Sequence, residues 1–443
     1  MKSNVLKFFP IALLSMASIV SYSCDSNEIN MQYVENPSSL NSKYPRLFTD
    51  NKGAVHMSWL HEIDEEAKLQ LATLKPLTDG DQEFNWSKKV TVASSDDWFI
   101  NWADFPSVIG YNGEPMALHW LDKTPGHTFS YDVTIQTLLK GELNETADTA
   151  LPYRFKASPL VPHDDGTASE HGFVSMSVID SLSFYAIWLD GRNTQAAFEH
   201  SNTNTTHPAE AHSHDGHVHP EELSYAMSLR GGKISRNGIV LSSDIIDETV
   251  CDCCNTSMVN TEKGLLAVYR NRSQDEIRDI YISRYENGVW SAPKAVNNDG
   301  WKIAACPVNG PQIDLKDGTT AVAWYTGAND TSKVKLSFSD DYGDTFSDPI
   351  IVSEGNTLGR IDLVMTEDNS AWISFVERVE DAAQFRIQKI DRNGTIIQDL
   401  VLDAIDASRR SGFPQITEYN DGLLVAWTDW GEKASTVRTR YLK

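Results

Sequence analysis

One pattern of apolar and polar positions recurs seven times along the chain. Each copy opens with a short strand, often at a proline, and about fourteen residues later a second strand ends in an aromatic residue. The openings read YPRLF, DFPSV, HGFVS, CCNTS, NGPQI, GRIDL and GFPQI, and the aromatic residues are Trp59, Trp120, Trp188, Tyr269, Trp324, Phe375 and Trp427. A period of roughly 50 to 80 residues is typical of radial or stacked repeats.

Each unit divides into four short strands separated by turn residues. In the fifth unit the strands read PQIDL, TAVAWY, KVKLSFS and PIIVS. Four antiparallel strands repeated around an axis are the blades of a β-propeller, and no segment with a sustained helical period competes. The sequence therefore predicts an all-β fold, a β-propeller of seven four-stranded blades. Six blades are the alternative, if one of the weaker units is incomplete.

The last unit stops one strand short, and the N-terminal segment MQYVENPSSL resembles the missing strand in length and pattern. A strand from the N-terminus would close the ring and remove the free sheet edges that invite aggregation. We therefore expect a single propeller domain over residues 31–443.

The N-terminus is a targeting segment. Lys2 and Lys7 precede the apolar stretch Phe8 to Val20, which is too short for a membrane span and is typical of a signal peptide. The small residues before Cys24 resemble a bacterial lipoprotein signal. This predicts a signal peptide over 1–23, a lipidated Cys24, a linker over 24–30, and an outer-membrane or cell-surface lipoprotein. A simple secretory signal, giving a periplasmic or secreted protein, is the alternative.

The net charge of the chain limits the classes of partner that it could bind. The net charge of −24 argues against nucleic acid, because no basic stripe is present to displace phosphate counterions. Membrane contact is expected only through the lipid anchor, and the chain is expected to be a monomer.

In a four-stranded blade, the loops before the first strand and between the second and third strands lie on one face. We call this face the mouth. The segments assigned to it are rich in arginine, carboxylate and aromatic residues, which makes it the default site.

Four cysteines remain after Cys24: Cys251, Cys253, Cys254 and Cys306. They belong to the openings of the fourth and fifth units, so they should lie side by side. Three interpretations stay open: structural disulfides in an oxidising compartment, a copper or zinc thiolate site that includes His171, and a redox dithiol. The run Cys251 to Cys254 is interpreted as having neither C-x-x-C spacing nor a conventional zinc pattern.

A second candidate for metal binding is an insertion at about 193–222. It carries five histidines among acidic residues, which can hold zinc, copper or nickel loosely. Four of them are named as candidate ligands: His212, His214, His217 and His219.

Ser339, Asp341, Gly343, Thr345 and Phe346 match the Asp-box of sialidase-type propellers, Ser-x-Asp-x-Gly-x-Thr-aromatic. The chain resembles that superfamily, and EHGFVS, WLDGR, CDCC and DGWKIAACPVNGP resemble secreted bacterial sialidase-like proteins. The resemblance implies a structural Asp-box on the face opposite the site.

The resemblance also implies a site in which arginines clamp a substrate carboxylate beside an acidic proton donor and a tyrosine. The candidate catalytic residues are Arg46, Arg192, Arg278, Arg360 and Arg410, with Asp104 or Glu170 as proton donor. The family's Arg-Ile-Pro motif is absent, and no tyrosine can be assigned as nucleophile.

These sequence features support two alternative hypotheses for the function. The first is an exported sialidase-like propeller that binds a glycan at its mouth, with exo-sialidase hydrolysis as a further hypothesis. The alternative is a non-enzymatic metal-binding or redox propeller that uses the cysteines and the histidine-rich insertion. The cofactor prediction is accordingly none, or else copper or zinc.

Overall fold

The computed structural model describes residues 29–78, 84–140, 153–155, 158–195, 223–380 and 382–443. These residues form seven separate sheets of antiparallel strands, so the prediction of a seven-bladed all-β propeller is confirmed and the six-bladed alternative is wrong. Four short 3-10 turns occur at Arg192–Thr194, Leu223–Tyr225, Ala328–Asp330 and Arg409–Ser411.

The first three blades contain strands β2 to β13. Blade 1 holds β2 (Ser42–Thr49), β3 (Val55–Ile63), β4 (Glu66–Leu74) and β5 (Val90–Ser95). Blade 2 holds β6 (Val108–Tyr111), β7 (Glu114–Lys123), β8 (Tyr131–Lys140) and β9 (Tyr153–Phe155). Blade 3 holds β10 (His171–Asp180), β11 (Ser183–Asp190), β12 (Met227–Ser235) and β13 (Asp244–Val250).

Blades 4 to 6 continue in chain order. Blade 4 holds β14 (Ser257–Thr261), β15 (Gly264–Arg270), β16 (Ile280–Glu286), β17 (Val289–Trp290) and β18 (Lys294–Ala295), the last two both paired with β16. Blade 5 holds β19 (Gln312–Lys316), β20 (Thr319–Thr326), β21 (Lys333–Ser339) and β22 (Ile350–Glu354). Blade 6 holds β23 (Thr357–Met365), β24 (Ala371–Val379), β25 (Ala382–Ile390) and β26 (Ile396–Ile405).

Blade 7 combines the two ends of the described chain. It holds β27 (Gln415–Tyr419), β28 (Gly422–Trp430) and β29 (Ser435–Leu442), and β1 (Met31–Tyr33) pairs antiparallel with β29, with Met31 opposite Leu442. The first strands of consecutive blades contact one another, and the contact between β27 and β2 completes the ring.

The seven aromatic residues of the repeat all lie on the second strands of their blades and are buried. Trp59, Trp188, Trp324 and Trp427 are each 1% exposed or less. They belong to apolar clusters that lie mainly between neighbouring blades, such as the cluster that joins β3 and β28. The repeat is therefore visible in the sequence because each blade must bury one large residue against the next blade.

The Asp-box forms the turn between β21 and β22. Asp341 accepts hydrogen bonds from the Thr345 backbone N–H at 2.8 Å and from the Ser339 hydroxyl at 2.7 Å. Gly343 takes a left-handed φ of 84°, which costs glycine little because it lacks a Cβ. Phe346 packs against the apolar cluster between blades 4 and 5. Because β21 and β22 are the third and fourth strands of blade 5, the Asp-box turn that joins them lies on the face opposite the mouth.

Among the described residues, no helix is long and apolar enough to cross a membrane. Cys24 and the histidines His212, His214, His217 and His219 lie outside the described residues.

Candidate functional site

The centre of the ring is a narrow polar channel. Its cavity of about 280 Å³ is lined by the first strands of all seven blades. Arg46 is half-buried there, and desolvation, partly offset by the charge of Asp362, lowers the pKa of its guanidinium. Burial also raises the pKa of Asp362 to about 6, against the opposing charge of Arg46. Arg46 therefore faces a carboxylate of the channel.

The other four candidate arginines each have partners in their own part of the mouth. Arg192 contacts Asp190 at 2.6 Å and Asp165 at 3.0 Å. Arg278 is fully buried and contacts Glu276 at 2.8 Å. Arg360 donates to the Ser411 hydroxyl and the Ala407 carbonyl, and Arg410 pairs with Asp406. Arg360 and Arg410 lie near each other, since Arg360 bonds to the residue that follows Arg410, whereas Arg46, Arg192 and Arg278 have other partners.

The two candidate proton donors lie close together beneath the mouth. Asp104 is 3% exposed, its Oδ2 has no hydrogen-bond partner among the described residues, and burial raises its pKa to about 7. Burial, with the neighbouring charge of Asp104, raises the pKa of Glu170 well above its usual range. Gly172 lies against Asp104, because a Cβ at this position would be 2.1 Å from Oδ2.

Tyr131 is a member of this group that the sequence did not reveal. Its hydroxyl donates to Glu170 Oε1 at 2.6 Å, and its ring stacks on Phe99 with 4.0 Å between centroids. Tyr131 begins β8 and Glu170 precedes β10, so the pair joins two blades and has no signal in local sequence. The ring is completely buried, which places its oxygen out of reach of a ligand on the surface.

His171 belongs to a histidine and carboxylate cluster in blades 2 and 3. Its Nδ1 is 3.4 Å from Asp132 and its Nε2 is 3.1 Å from Asp165. Burial alone would lower the pKa of His171, but these hydrogen bonds and the charge of Asp190 raise it to about 9. The ring of His163 stacks on the ring of His171. His163 Nε2 accepts a hydrogen bond from the Val133 N–H at 3.0 Å, so this nitrogen is not available as a metal ligand.

This geometry describes a charge network rather than a metal site. The protonated imidazole of His171 and the guanidinium of Arg192 both neutralise the carboxylates. His171 therefore lies in a different cluster from the cysteines, and the prediction that it completes a thiolate site is not supported.

The cysteines form a thiol cluster of Cys251, Cys253 and Cys254, with Cys306 beside it. All four are free thiols, and the first three are at most 3% exposed. The three Sγ atoms lie within 4.8 Å of one another, with 3.6 Å between those of Cys251 and Cys254. Cys306 is half-buried and its thiol hydrogen-bonds with that of Cys253. No disulfide joins Cys306 to Cys251 or to Cys254, the two pairings that the adjacent openings of units four and five make feasible.

One interpretation of this run was wrong. Cys251 and Cys254 are separated by two residues and therefore have the C-x-x-C spacing, which Cys253 between them conceals. Burial alone would raise the pKa of Cys251, but hydrogen bonds from Cys253 and Cys254 and the charges of Arg278 and Arg270 hold it well below its usual range. Burial and the Cys251 charge raise the pKa of Cys254 to about 12.

Three fully buried arginines surround the thiol cluster: Arg270, Arg272 and Arg278. Arg278 Nη1 is 3.3 Å from Cys251 Sγ, and Arg272 is 3.3 Å from Asp252. Arg270 donates to the carbonyls of Arg278, Asn309 and Tyr325 and stacks on Trp301. The sequence named Arg278 as a candidate residue of the mouth, but it could not show that Arg278 contacts Cys251.

An aromatic and cationic surface lies where the loop that leads into blade 2 meets β23 of blade 6 and the segment before β27 of blade 7. We call it the Trp102 surface and define it by Trp102, Arg360, Arg409, Arg410 and Trp430. Trp102 is half-buried and stacks on Phe413 with 5.6 Å between centroids. The guanidinium groups of two arginines lie over its ring. Arg360 is 5.1 Å and Arg409 is 5.8 Å from the centroid of its ring.

The same surface continues along the 3-10 turn before β27. Arg410 lies 5.1 Å from the centroid of the half-buried Trp430, and the indole N–H of Trp430 donates to the Arg410 carbonyl at 2.7 Å. Arg409 and Arg410 are exposed. Two half-buried indoles with arginines over their rings thus belong to this surface.

Comparisons with known proteins give only distant likenesses. No family model matches the chain, and no curated protein matches it. A solved β-fructofuranosidase from Bombyx mori in complex with sucrose shares 14% identity over 59% of this chain, with a TM-score of 0.32. A Trypanosoma rangeli sialidase in complex with sialic acid shares 8% identity over 94% of this chain, with a TM-score of 0.39. A polysaccharide lyase shares 9% identity over 93% of this chain and 91% of its own, with a TM-score of 0.45.

The chain spans 58% of the length of the β-fructofuranosidase and 59% of the length of the sialidase. Identities and TM-scores as low as these carry no argument about what the chain binds. By its own sheets the chain is a seven-bladed β-propeller, and it is similar to the structures of these three enzymes.

Proposed function

We propose that this protein binds an acidic glycan at the Trp102 surface. The observation that carries the proposal is the half-buried Trp102 indole with the guanidinium groups of Arg360 and Arg409 over its ring. The apolar face of a sugar ring packs on an indole, which offers a large and rigid contact area. An arginine beside the indole can hold a carboxylate on the same sugar through two parallel hydrogen bonds.

The charges of the surface favour an acidic ligand. The chain carries a net charge of −24, but at physiological salt charges more than about 8 Å away are largely screened. A bound sugar would therefore respond chiefly to the exposed Arg409 and Arg410, with Asp406 as the carboxylate that pairs with Arg410. Arg360 is 5% exposed and adds positive charge from beneath the surface. We expect uronates or sialosides to bind more tightly than neutral oligosaccharides of the same length.

The proposal is for binding rather than hydrolysis. A sialidase-type reaction needs a tyrosine and an acid at the same sugar, but Tyr131 is completely buried and Asp104 is 3% exposed. Neither oxygen can contact a surface ligand without displacing the residues above it. Product release from the bound glycans is therefore not expected.

Calorimetric titration of the full chain with paired acidic and neutral oligosaccharides tests the proposal. Trp102→Ala should weaken binding by about 30-fold, the typical effect of truncating an aromatic anchor, and Arg409→Ala should weaken binding of the acidic partner alone. Arg392→Ala, an exposed arginine in the turn between β25 and β26 on the opposite face, is the matched control.

Three results would contradict the proposal. They are no binding across the panel, equal affinity of each acidic and neutral pair, and Trp102→Ala binding as tightly as Arg392→Ala. Release of sugar from a bound oligosaccharide would show that the site is hydrolytic and would overturn the restriction to binding.

We also propose that the protein is exported and anchored through a lipid on Cys24. The support is the sequence alone: two lysines, an apolar stretch and small residues before the cysteine. Cells fed radioactive palmitate should label the wild-type chain, and the Cys24→Ala chain should stay unlabelled. Label on the variant, or an unlabelled wild type, would refute the anchor.

A further inference from the structure

The thiol cluster is a second region of the mouth, and it does not take part in the proposed glycan site. We propose that Cys251, Cys253 and Cys254 bind one copper(I) ion as three sulfur ligands, with Cys306 at the half-buried side of the site. The proposal goes beyond glycan binding and does not depend on it.

The spacing of the sulfur atoms suits a shared metal ion. Thiolates bound to one metal at about 2.3 Å lie roughly 3.8 to 4.0 Å apart. The Cys251 and Cys254 Sγ atoms are 3.6 Å apart, and all three sulfurs lie within 4.8 Å of one another. Copper could therefore be held by small side-chain adjustments. A disulfide needs about 2.05 Å between sulfurs, which these side chains reach only by a larger movement.

The surrounding charges suit thiolates. Binding copper(I) requires the ligand thiols to release protons, and the sulfurs that remain are negatively charged and buried. Arg278 Nη1 contacts Cys251 Sγ at 3.3 Å. Arg270 is also fully buried, and its guanidinium donates to the backbone carbonyls of Arg278, Asn309 and Tyr325, none of which carries a charge. A buried guanidinium of this kind stabilises negative charge on the neighbouring sulfurs.

The ligand set favours copper(I) over zinc. In the thiol cluster the mutually close ligand atoms are three sulfurs, with no imidazole or carboxylate, whereas the other two such groups among the described residues consist of histidines and aspartates. Zinc in structural sites takes four ligands in a tetrahedron, and in catalytic sites it keeps a water. Copper(I) is a softer ion that is satisfied by thiolates, and it forms stable three-coordinate sites. Because these sulfurs are buried, a fourth position for water is not available.

Burial also distinguishes this site from a thiol–disulfide exchange centre. Reactive cysteines of that class lie in partly exposed positions where another protein can reach the sulfur. Cys251 is completely buried and Cys254 is 2% exposed. Cys306 is the half-buried thiol of the four and hydrogen-bonds with Cys253, so it lies on the route by which a small ion would enter.

The test is anaerobic titration of the full reduced chain with copper(I) in competition with a chromogenic chelator. We expect one tightly bound ion with three sulfur neighbours by copper X-ray absorption. Cys251→Ser and Cys254→Ser should each weaken binding by about 100-fold or more. Arg278→Gln, which keeps all three sulfurs, should weaken it by about 10- to 100-fold, as is typical for groups that support metal ligands.

The histidine-rich insertion requires its own control, because it offers a separate set of ligands. A variant with His212, His214, His217 and His219 all changed to glutamine should retain the tight copper(I) ion and its sulfur neighbours. If a serine variant does not fold, the sulfur count of the wild type and the effect of Arg278→Gln still decide the question.

Several outcomes would overturn the proposal. One is a copper(I) ion that disappears with the four histidines, and another is a Cys251–Cys254 disulfide in protein isolated without oxygen. A third is tighter binding of zinc with four sulfur neighbours that include Cys306. Affinity unchanged in folded Cys251→Ser protein would also refute it.

Discussion

At the scale of single residues, His171 shows how a buried network sets a pH dependence. Its pKa is about 9 in the folded protein, against an ordinary value of 6.5. The charged ring is favoured in the folded state, so its stabilisation is complete below pH 6.5 and is lost as the pH rises through 9.

We therefore expect the difference in unfolding free energy between wild type and His171→Gln to be largest below pH 6.5. The difference should shrink steadily towards pH 9, because the wild-type ring then loses its proton. Urea unfolding of both proteins across this range measures it, and a difference that stays constant with pH would contradict the network.

Gly172 is the second residue whose environment makes a clear prediction. In Gly172→Ala, the new Cβ would lie 2.1 Å from Asp104 Oδ2 and 3.1 Å from the Tyr131 ring. Overpacking of this kind typically costs about 1 to 3 kcal/mol, so the urea midpoint should fall. Gly431→Ala is the matched control, because its nearest neighbour is 3.4 Å away. Equal midpoints for the two variants would argue against the close packing.

At the scale of elements, the Asp-box turn is held by one carboxylate. Asp341 accepts from both the N–H and the hydroxyl of Thr345 and from the hydroxyl of Ser339. Asp341→Ala should lower the unfolding free energy by about 1 to 2 kcal/mol, since these hydrogen bonds involve a charged acceptor. Asp348→Ala, an exposed aspartate just beyond the turn, should have little effect. Similar losses in both variants would contradict this account of the turn.

The elements also show what the sequence could predict. Blade number followed from the buried aromatics, because each blade repeats the same local pattern and the same packing demand. Contacts between blades could not be predicted in this way. Tyr131 meets Glu170 across 39 residues, and Asn255 donates to the Ala103 carbonyl across 152 residues.

Only part of the candidate site could be predicted, because it too depends on contacts between segments that are distant in sequence. Loop positions follow from topology, so the arginines could be assigned to the mouth. Their partners depend on the three-dimensional path of neighbouring loops, so the pairing of Arg278 with Glu276 and Cys251 was not foreseen. The C-x-x-C spacing of Cys251 and Cys254, by contrast, was visible and was overlooked.

At the scale of the whole molecule, β1 from the N-terminal part of the chain pairs with β29 as the outer strand of blade 7. Asn30 and Lys443 exchange backbone hydrogen bonds of 2.8 and 3.0 Å, and the adjoining Val34 is 1% exposed. Removing residues 25–36 would expose the edge of β29, and an exposed edge promotes association. We expect a lower melting temperature and concentration-dependent oligomers by light scattering. A shortened chain that stays monomeric with an unchanged melting temperature would contradict this role of β1.

The central functional claim is that the mouth holds a glycan on the Trp102 surface. The most direct measurement is a crystal structure of the full chain with the tightest-binding acidic oligosaccharide. The account predicts a sugar ring stacked on Trp102, with its carboxylate within hydrogen-bond distance of the exposed Arg409. A ligand bound elsewhere on the propeller, with the Trp102 surface empty, would contradict it.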